Sequence, residues 1–114
     1  MSINTSANSE VSALIIQTTT PTMELAKSIA ETLVQESLAA CVNLSAASLS
    51  IYSWENKLHS DEEFTLTIKT STGRQADCIA RIQDLHSYDV PEIIVLPIIG
   101  GSKPYLQWIA HETL

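Results

Sequence analysis

Apolar residues along this chain of 114 residues recur at two spacings, and the order in which those spacings follow one another restricts the fold more than any other feature. Val11 to Thr19, written VSALIIQTT, is β-branched with an apolar centre, as suits a strand covered on both faces. Thr20 and Pro21 then read as N-cap and first helical residue, with Glu24 favourably placed in the first turn. Leu25, Ala26, Ile29, Ala30, Leu33 and Val34 repeat at helical spacing and leave Lys27, Ser28, Glu31, Gln35 and Glu36 to water, which predicts an amphipathic helix ending near Ser37. Between Ala40 and Thr70 the period falls to two. Leu49 and Ile51 alternate against Tyr52 and Trp54, and Phe64, Leu66 and Ile68 alternate with Thr65, Thr67 and Lys69, giving a long hairpin that turns at Glu55, Asn56 and Lys57. Its first strand is longer than the second can match, so the small-residue stretch Ser45 to Ser48 is expected to bend or bulge and to pair elsewhere.

Thr72 and Gln75 have capping-box spacing, and Cys78, Ile79, Ile82 and Leu85 line one face of a second helix before Pro91 stops it. Ile93 to Ile98, nearly all apolar, predicts a strand buried on both faces. Gly100-Gly101 turns the chain, Ser102 is placed to cap, and Tyr105, Leu106, Trp108 and Ile109 predict a short terminal helix. The order β-α-β-β-α-β with an appended helix is an α+β, ferredoxin-like sandwich, with both main helices on one face of an antiparallel sheet. Its outer strands are apolar on both sides while only two full helices are at hand, so a second copy of the chain is the economical cover for the other face. Residues 1–10 hold too few apolar groups to order themselves and are expected to be a disordered tail, leaving 11–114 as a single domain.

Composition excludes several function classes. Charged residues make up 17% of the chain, below the roughly 25% usual for soluble domains, which again favours an oligomer. A formal net charge of −7 disfavours phosphate backbones and anionic membranes, so neither nucleic acid nor membrane is an expected partner. No apolar run is long enough to span a bilayer and no leader pattern precedes the first strand. Cys41 and Cys78 lack CxxC spacing; a reducing, cytoplasmic setting fits.

Leu38-Ala39-Ala40-Cys41-Val42-Asn43, the hairpin from Ser50 to Lys57, the run from His86 to Ile98 (HSYDVPEIIVLPI) and the closing Tyr105-Leu106-Gln107-Trp108 resemble, in the same order, the signatures of the CutA family of divalent-cation tolerance proteins. The resemblance covers the chain from about Ala13 onward. It implies a homotrimer related to the PII-like trimers, with hairpins reaching to neighbours and ligands held in clefts between subunits, and a link to divalent-metal and copper tolerance. In some family members copper ligation is ascribed to a cysteine at the end of the first strand and to two adjacent histidines. Here those positions read Thr18 and Leu85-His86, so His86 alone is retained, and one imidazole does not make a selective copper site. The family's proline after the histidine is Ser87, and its hairpin-turn glycine is Asn56.

On this reading the candidate ligand cleft comprises His86, Tyr88 and Glu92 at the second helix-to-strand junction, with Lys69 and Glu55 from the hairpin and Trp54 as an aromatic wall. His86 has an alternative role as a C-terminal helix cap. Cys41 is a conceivable soft-metal or mercurial ligand, or a small buried hydrophobe, and Cys78 is core; a divalent metal such as Cu²⁺ is the cofactor that the resemblance implies. Tyr52, Trp54, Tyr105 and Trp108 suit either stacking on a ligand or subunit contacts, and Asp61-Glu62-Glu63 reads as a solvated charge run. Gly100 to Lys103 lacks Walker A spacing, and HExxH and GxSxG motifs are absent. An acylphosphatase-like site needs an arginine after the first strand, whereas the first arginine is Arg74. The expected function is therefore metal or small-molecule binding by a trimer and not enzymatic; the alternative is a scaffold that holds another protein.

Overall fold

The computed structural model describes residues 12–114; the expected tail and Val11 lie outside them. Strand β1 runs Ala13–Thr20 and is followed by helix α1, Met23–Gln35. Next come β2 (Cys41–Leu44), β3 (Ser48–Trp54) and β4 (Lys57–Ser71). A 3₁₀ turn at Thr72–Arg74 leads into α2 (Gln75–Leu85), then β5 (Ile93–Pro97) and α3 (Lys103–Glu112). The sheet is antiparallel in the order β2-β4-β1-β5, with β3 also on β4, which is the expected split βαβ arrangement.

Strand alternation decides which residues meet the helices. Leu14 and Ile16 on β1 pair with Thr70 and Ile68 on β4, and with Pro97 and Val95 on β5. They join Leu66, Ala26, Ile29, Leu33, Cys78 and Ile82 in one core beneath α1 and α2. Each fully buried aliphatic side chain there contributes roughly 1.5–3 kcal/mol. The opposite face carries Ile15, Gln17 and Thr19 on β1, with Leu96 and Ile94 beside them on β5. One end of it is covered by α3, where Leu106 and Ile109 pack with Ala13, Ala40 and Ile98, and at the other end Thr19 and Glu63 are buried near Tyr88. Thr113 fastens that helix: its hydroxyl bonds Ser71 Oγ at 2.9 Å and its carbonyl accepts from Arg74 Nε at 2.9 Å.

Several local expectations are corrected. The N-cap of α1 is Thr22, whose hydroxyl accepts from Leu25 N–H at 3.1 Å, because Thr20 is still paired in β1 and its own hydroxyl donates to Thr22 O. The 3₁₀ turn displaces Thr72 from the capping position of α2, and Ser102 precedes α3 without a side-chain cap. β5 is not buried on both faces: Ile93 and Val95 touch the core, whereas Ile94 and Leu96 remain 47% and 42% exposed.

The break between β2 and β3 matters most. Leu44 pairs with Leu66 and Ser48 with Glu63, so Ser45, Ala46 and Ala47 stand against only Thr65 and Phe64. This is a one-residue bulge, and the surplus stays on β4 and does not pair elsewhere. Ser45 N–H donates to Thr65 O and Ser45 Oγ accepts from Thr65 N–H, at 3.0 and 3.2 Å, which fixes the bulge. Because side chains alternate, one extra residue exchanges the faces of everything beyond it. Tyr52 and Trp54 thereby share a face with His59, Asp61 and Glu63; an unbroken strand would have turned them to the helix side. The arm closes at Glu55 and Asn56, both at positive φ (52° and 64°) between paired Trp54 and Lys57, the geometry of a type I′ hairpin.

Candidate functional site

Segment 86–92 leaves α2 and passes the end of β1 to reach β5, and it meets the base of the hairpin arm there. The cleft between them, about 680 Å³, is lined chiefly by Thr19, Tyr52, Trp54, Glu63, Tyr88 and Glu92, with Asp89 at its rim. That volume suits a small ligand.

Its floor is a polar chain. Glu63 is only 8% exposed, and its Oε2 accepts from Tyr88 Oη at 3.1 Å and from Thr19 Oγ1 at 3.3 Å. Burial, and next the bond to Glu63, push the Tyr88 phenol up to about 12. The Tyr52 hydroxyl donates in a short bond to Asp61, which raises its pKa, and the Tyr52 ring stacks on His59 at 5.4 Å. Gln17 Nε2 donates to Glu92 Oε2 at 2.9 Å, holding that carboxylate against β1.

His86 stands behind the cleft wall. A carbonyl only accepts, so the 2.7 Å contact between His86 Nε2 and Thr19 O places the proton on Nε2. Nδ1 is then the acceptor for Tyr88 N–H at 3.1 Å, and the His86 and Tyr88 rings lie 4.9 Å apart. His86 is also the C-cap residue of α2, its backbone N–H bonded to Ile82 O. Both ring nitrogens are thus committed to holding segment 86–92 in place.

The chain therefore assembles part of the expected site. Trp54, Tyr88 and Glu92 line the cleft and His86 supports it. Glu55 sits at the tip of the arm, beyond it. Lys69 pairs with Cys41 and Ile15 four rows from Thr19 along β1, about 13 Å away, where its ammonium bonds Asn43 Oδ1 at 2.6 Å and lies 5.8 Å from the Tyr105 ring centroid. The two metal candidates stand apart: His86 contacts Thr19 at the end of β1, whereas Cys41, half-buried, pairs with Lys69 opposite Ile15, two strands over. Among the described residues no group of three or more His, Cys, Asp or Glu stands close enough to hold a metal ion. The described side chains of a single chain do not fit a copper centre.

Glu63 is the residue that sequence reasoning missed. It looked like one of three solvated acids, yet it shares the alternation set of Thr65, Thr67 and Lys69, which faces the uncovered side of the sheet. Thr19 and Gln17 escaped notice because neutral polar residues in a β-branched strand carry no signal of their own.

Fold and site together define a ferredoxin-like split βαβ sandwich with a protruding hairpin arm and an acidic, aromatic cleft at the arm's base. The chain belongs to the CutA1 divalent ion tolerance protein family, which it matches over residues 14–112. It is 41% identical over 99 residues to the divalent-cation tolerance protein CutA of Thermus thermophilus, covering 87% of this chain and 96% of that one. To the chloroplastic protein CutA of Arabidopsis thaliana it is 43% identical over 103 residues, 90% of this chain but only 57% of that relative's length. The solved structure of the Thermus thermophilus protein superimposes with a TM-score of 0.87 at 40% identity, covering 89% of this chain and 98% of that one. Among the described residues no helix is long and apolar enough to cross a membrane.

Proposed function

We propose that this chain serves divalent-cation tolerance as a binding and signalling protein and not as an enzyme, working in the cytoplasm as a homotrimer whose clefts hold a small molecule or metal ion. The observation that carries the reading is the cleft at the base of the arm, where the buried Glu63 carboxylate, oriented by Tyr88 and Thr19, faces open space. Polar groups held rigidly in a concave, aromatic-walled site are the ordinary makings of ligand recognition. Assembly is supported by apolar side chains left in water on the sheet, Ile94 and Leu96 beside Ile15. A divalent metal such as Cu²⁺ would have to draw on more than one subunit, since His86 and Cys41 stand apart.

Calorimetric titration of metal-free full-length protein with Cu²⁺, ATP and small organic ions tests the reading. Saturable heat from any of them, abolished by Trp54→Ala, is the expected result; heats no larger than dilution throughout would overturn it. The exposed apolar arm favours a second reading, a scaffold trimer that holds another protein. That reading requires partner capture which survives Glu63→Gln and fails with Leu58→Asp.

A further inference from the structure

We infer that His86 is a positioning residue for the cleft wall and not a metal ligand, so that any divalent cation this protein holds is bound without its imidazole, whether one subunit supplies the ligands or several. This holds whether or not the cleft takes up a small molecule.

The histidine closes a circuit of hydrogen bonds. Its Nε2–H donates to Thr19 O at 2.7 Å and its Nδ1 accepts from Tyr88 N–H at 3.1 Å. Tyr88 Oη then donates to Glu63 Oε2, which also accepts from Thr19 Oγ1, so the path returns to the residue where it began. Four residues thereby tie together the end of β1, the exit of α2 and the base of the arm. Thr19 is gripped through both its carbonyl and its hydroxyl. Bonds in such a series polarise and orient one another, which makes the circuit firmer than its members taken singly.

The bond to Thr19 alone would suit a metal ligand, since a ligating histidine commonly donates its other ring nitrogen to a backbone carbonyl. Nδ1 excludes that role. A neutral imidazole has one lone pair in the ring plane, and a metal ion must take it. Here it is directed at the amide of the residue two positions on, in a segment fixed where it leaves α2: the His86 backbone N–H bonds Ile82 O, and the His86 and Tyr88 rings lie 4.9 Å apart. Coordination would leave the Tyr88 N–H without its acceptor and open the circuit. Turning the ring to offer Nε2 instead would strip the carbonyl of buried Thr19 of its donor. A neighbouring subunit can bring further ligands to a shared site, but it cannot release a lone pair engaged within the chain. The two other positions where the resemblance looks for copper ligands add nothing beside the ring, because Thr18 is fully buried on the helix side and Leu85 packs against the core there.

Three substitutions in the full-length protein separate the roles. His86→Asn keeps an acceptor near the place of Nδ1, His86→Gln keeps a donor near that of Nε2, and His86→Ala keeps neither. Hydrogen exchange at the Tyr88 amide should be about tenfold faster in His86→Ala and His86→Gln, and should return close to the parent rate in His86→Asn. Calorimetric titration with Cu²⁺ and with Zn²⁺ should give every variant the parent's affinity, and Zn²⁺ should leave the ring nitrogen signals of His86 unmoved in ¹⁵N NMR. Even an outer partner of a bound metal is worth about tenfold in affinity, so a drop of that size in any folded variant, or a shift of the Nδ1 signal on adding Zn²⁺, would overturn the inference. Exchange at Tyr88 that ignores the loss of the ring, or that His86→Gln preserves and His86→Asn does not, would overturn the positioning role. A parent protein that binds neither metal agrees with the inference, and the exchange pattern then decides the rest. Should His86→Ala fail to fold by circular dichroism, His86→Gln against His86→Asn carries the same comparison.

Discussion

Thr18 Oγ1 is buried without a hydrogen-bond partner among the described residues, at a position surrounded by Ile16, Leu66 and Ile93. Thr70, one strand away, is equally buried, but its hydroxyl donates to Leu38 O at 2.7 Å. The same change should therefore act in opposite directions at the two sites. Thr18→Val removes an unsatisfied hydroxyl at nearly constant volume and should raise stability by about 1 kcal/mol, whereas Thr70→Val leaves a buried carbonyl orphaned and should cost about 1–2 kcal/mol. Urea midpoints for the two variants check this. The cysteines make a second contrast. Burial pushes the Cys78 thiol up to about 12, while Cys41 is half-exposed. Iodoacetamide at pH 8 should label Cys41 in the folded protein and spare Cys78. A thiol whose folded pKa is raised favours the folded state fully below its ordinary value of 9.0, and that contribution disappears as pH climbs toward 12. Alkaline unfolding that moves to higher pH in Cys78→Ala, relative to its own neutral stability, is the expected signature.

At the scale of elements, the bulge at Ser45 to Ala47 decides whether the cleft exists. It turns Tyr52 and Trp54 toward Asp61, Glu63 and Tyr88, so deleting Ala46 should return the arm to unbroken alternation. Leu49 would then turn to the cleft side, and Tyr52 would lose Asp61. In a Trp108→Phe background, where Trp54 is the remaining tryptophan, the deletion should shift its emission and make it insensitive to Glu63→Gln; an unchanged spectrum would show that the bulge does not set the face. This element also marks the limit of what the sequence discloses. Periods of 3.6 and two locate the central strands and both main helices because those elements bury a face, and burial is what makes apolar residues periodic. The run Ser45-Ala46-Ala47-Ser48 announces an interruption, but small residues tolerate a bulge, a bend or a change of partner equally, so pairing was legible only from the hydrogen bonds of Ser45 with Thr65. Thr20 and Thr22 are chemically equivalent caps, and only the pairing of Thr20 with Phe64 excludes it. Within one chain Trp54, Tyr88 and Glu92 border one cleft, while Lys69 lies away from it, opposite Ile15 on β1.

For the whole molecule, the distribution of exposed apolar groups separates two ways of associating. The single chain is elongated, 52 × 28 × 23 Å, because the arm projects from the sandwich. One apolar set lies on the sheet, Ile94 and Leu96 beside Ile15; the other lies on the arm, with Leu58 81% exposed. Seven net negative charges on every chain oppose association, so a stable trimer needs both apolar contact and a geometry that keeps carboxylates apart. The sheet set is the better candidate for the central contact, since it is continuous with the β1-β4 face and borders the region already covered by α3. Light scattering should give about three times the 12.4 kDa chain mass for the parent protein. Leu96→Arg, which sets a charge in the middle of the sheet patch without touching the helix-side core, should reduce that to a single chain. Leu58→Asp should leave the mass threefold while exposing the arm to faster proteolysis if the arm rests on a neighbour. A parent protein that scatters as one well-folded chain would remove the trimer, and the apolar sheet face would then need a different cover.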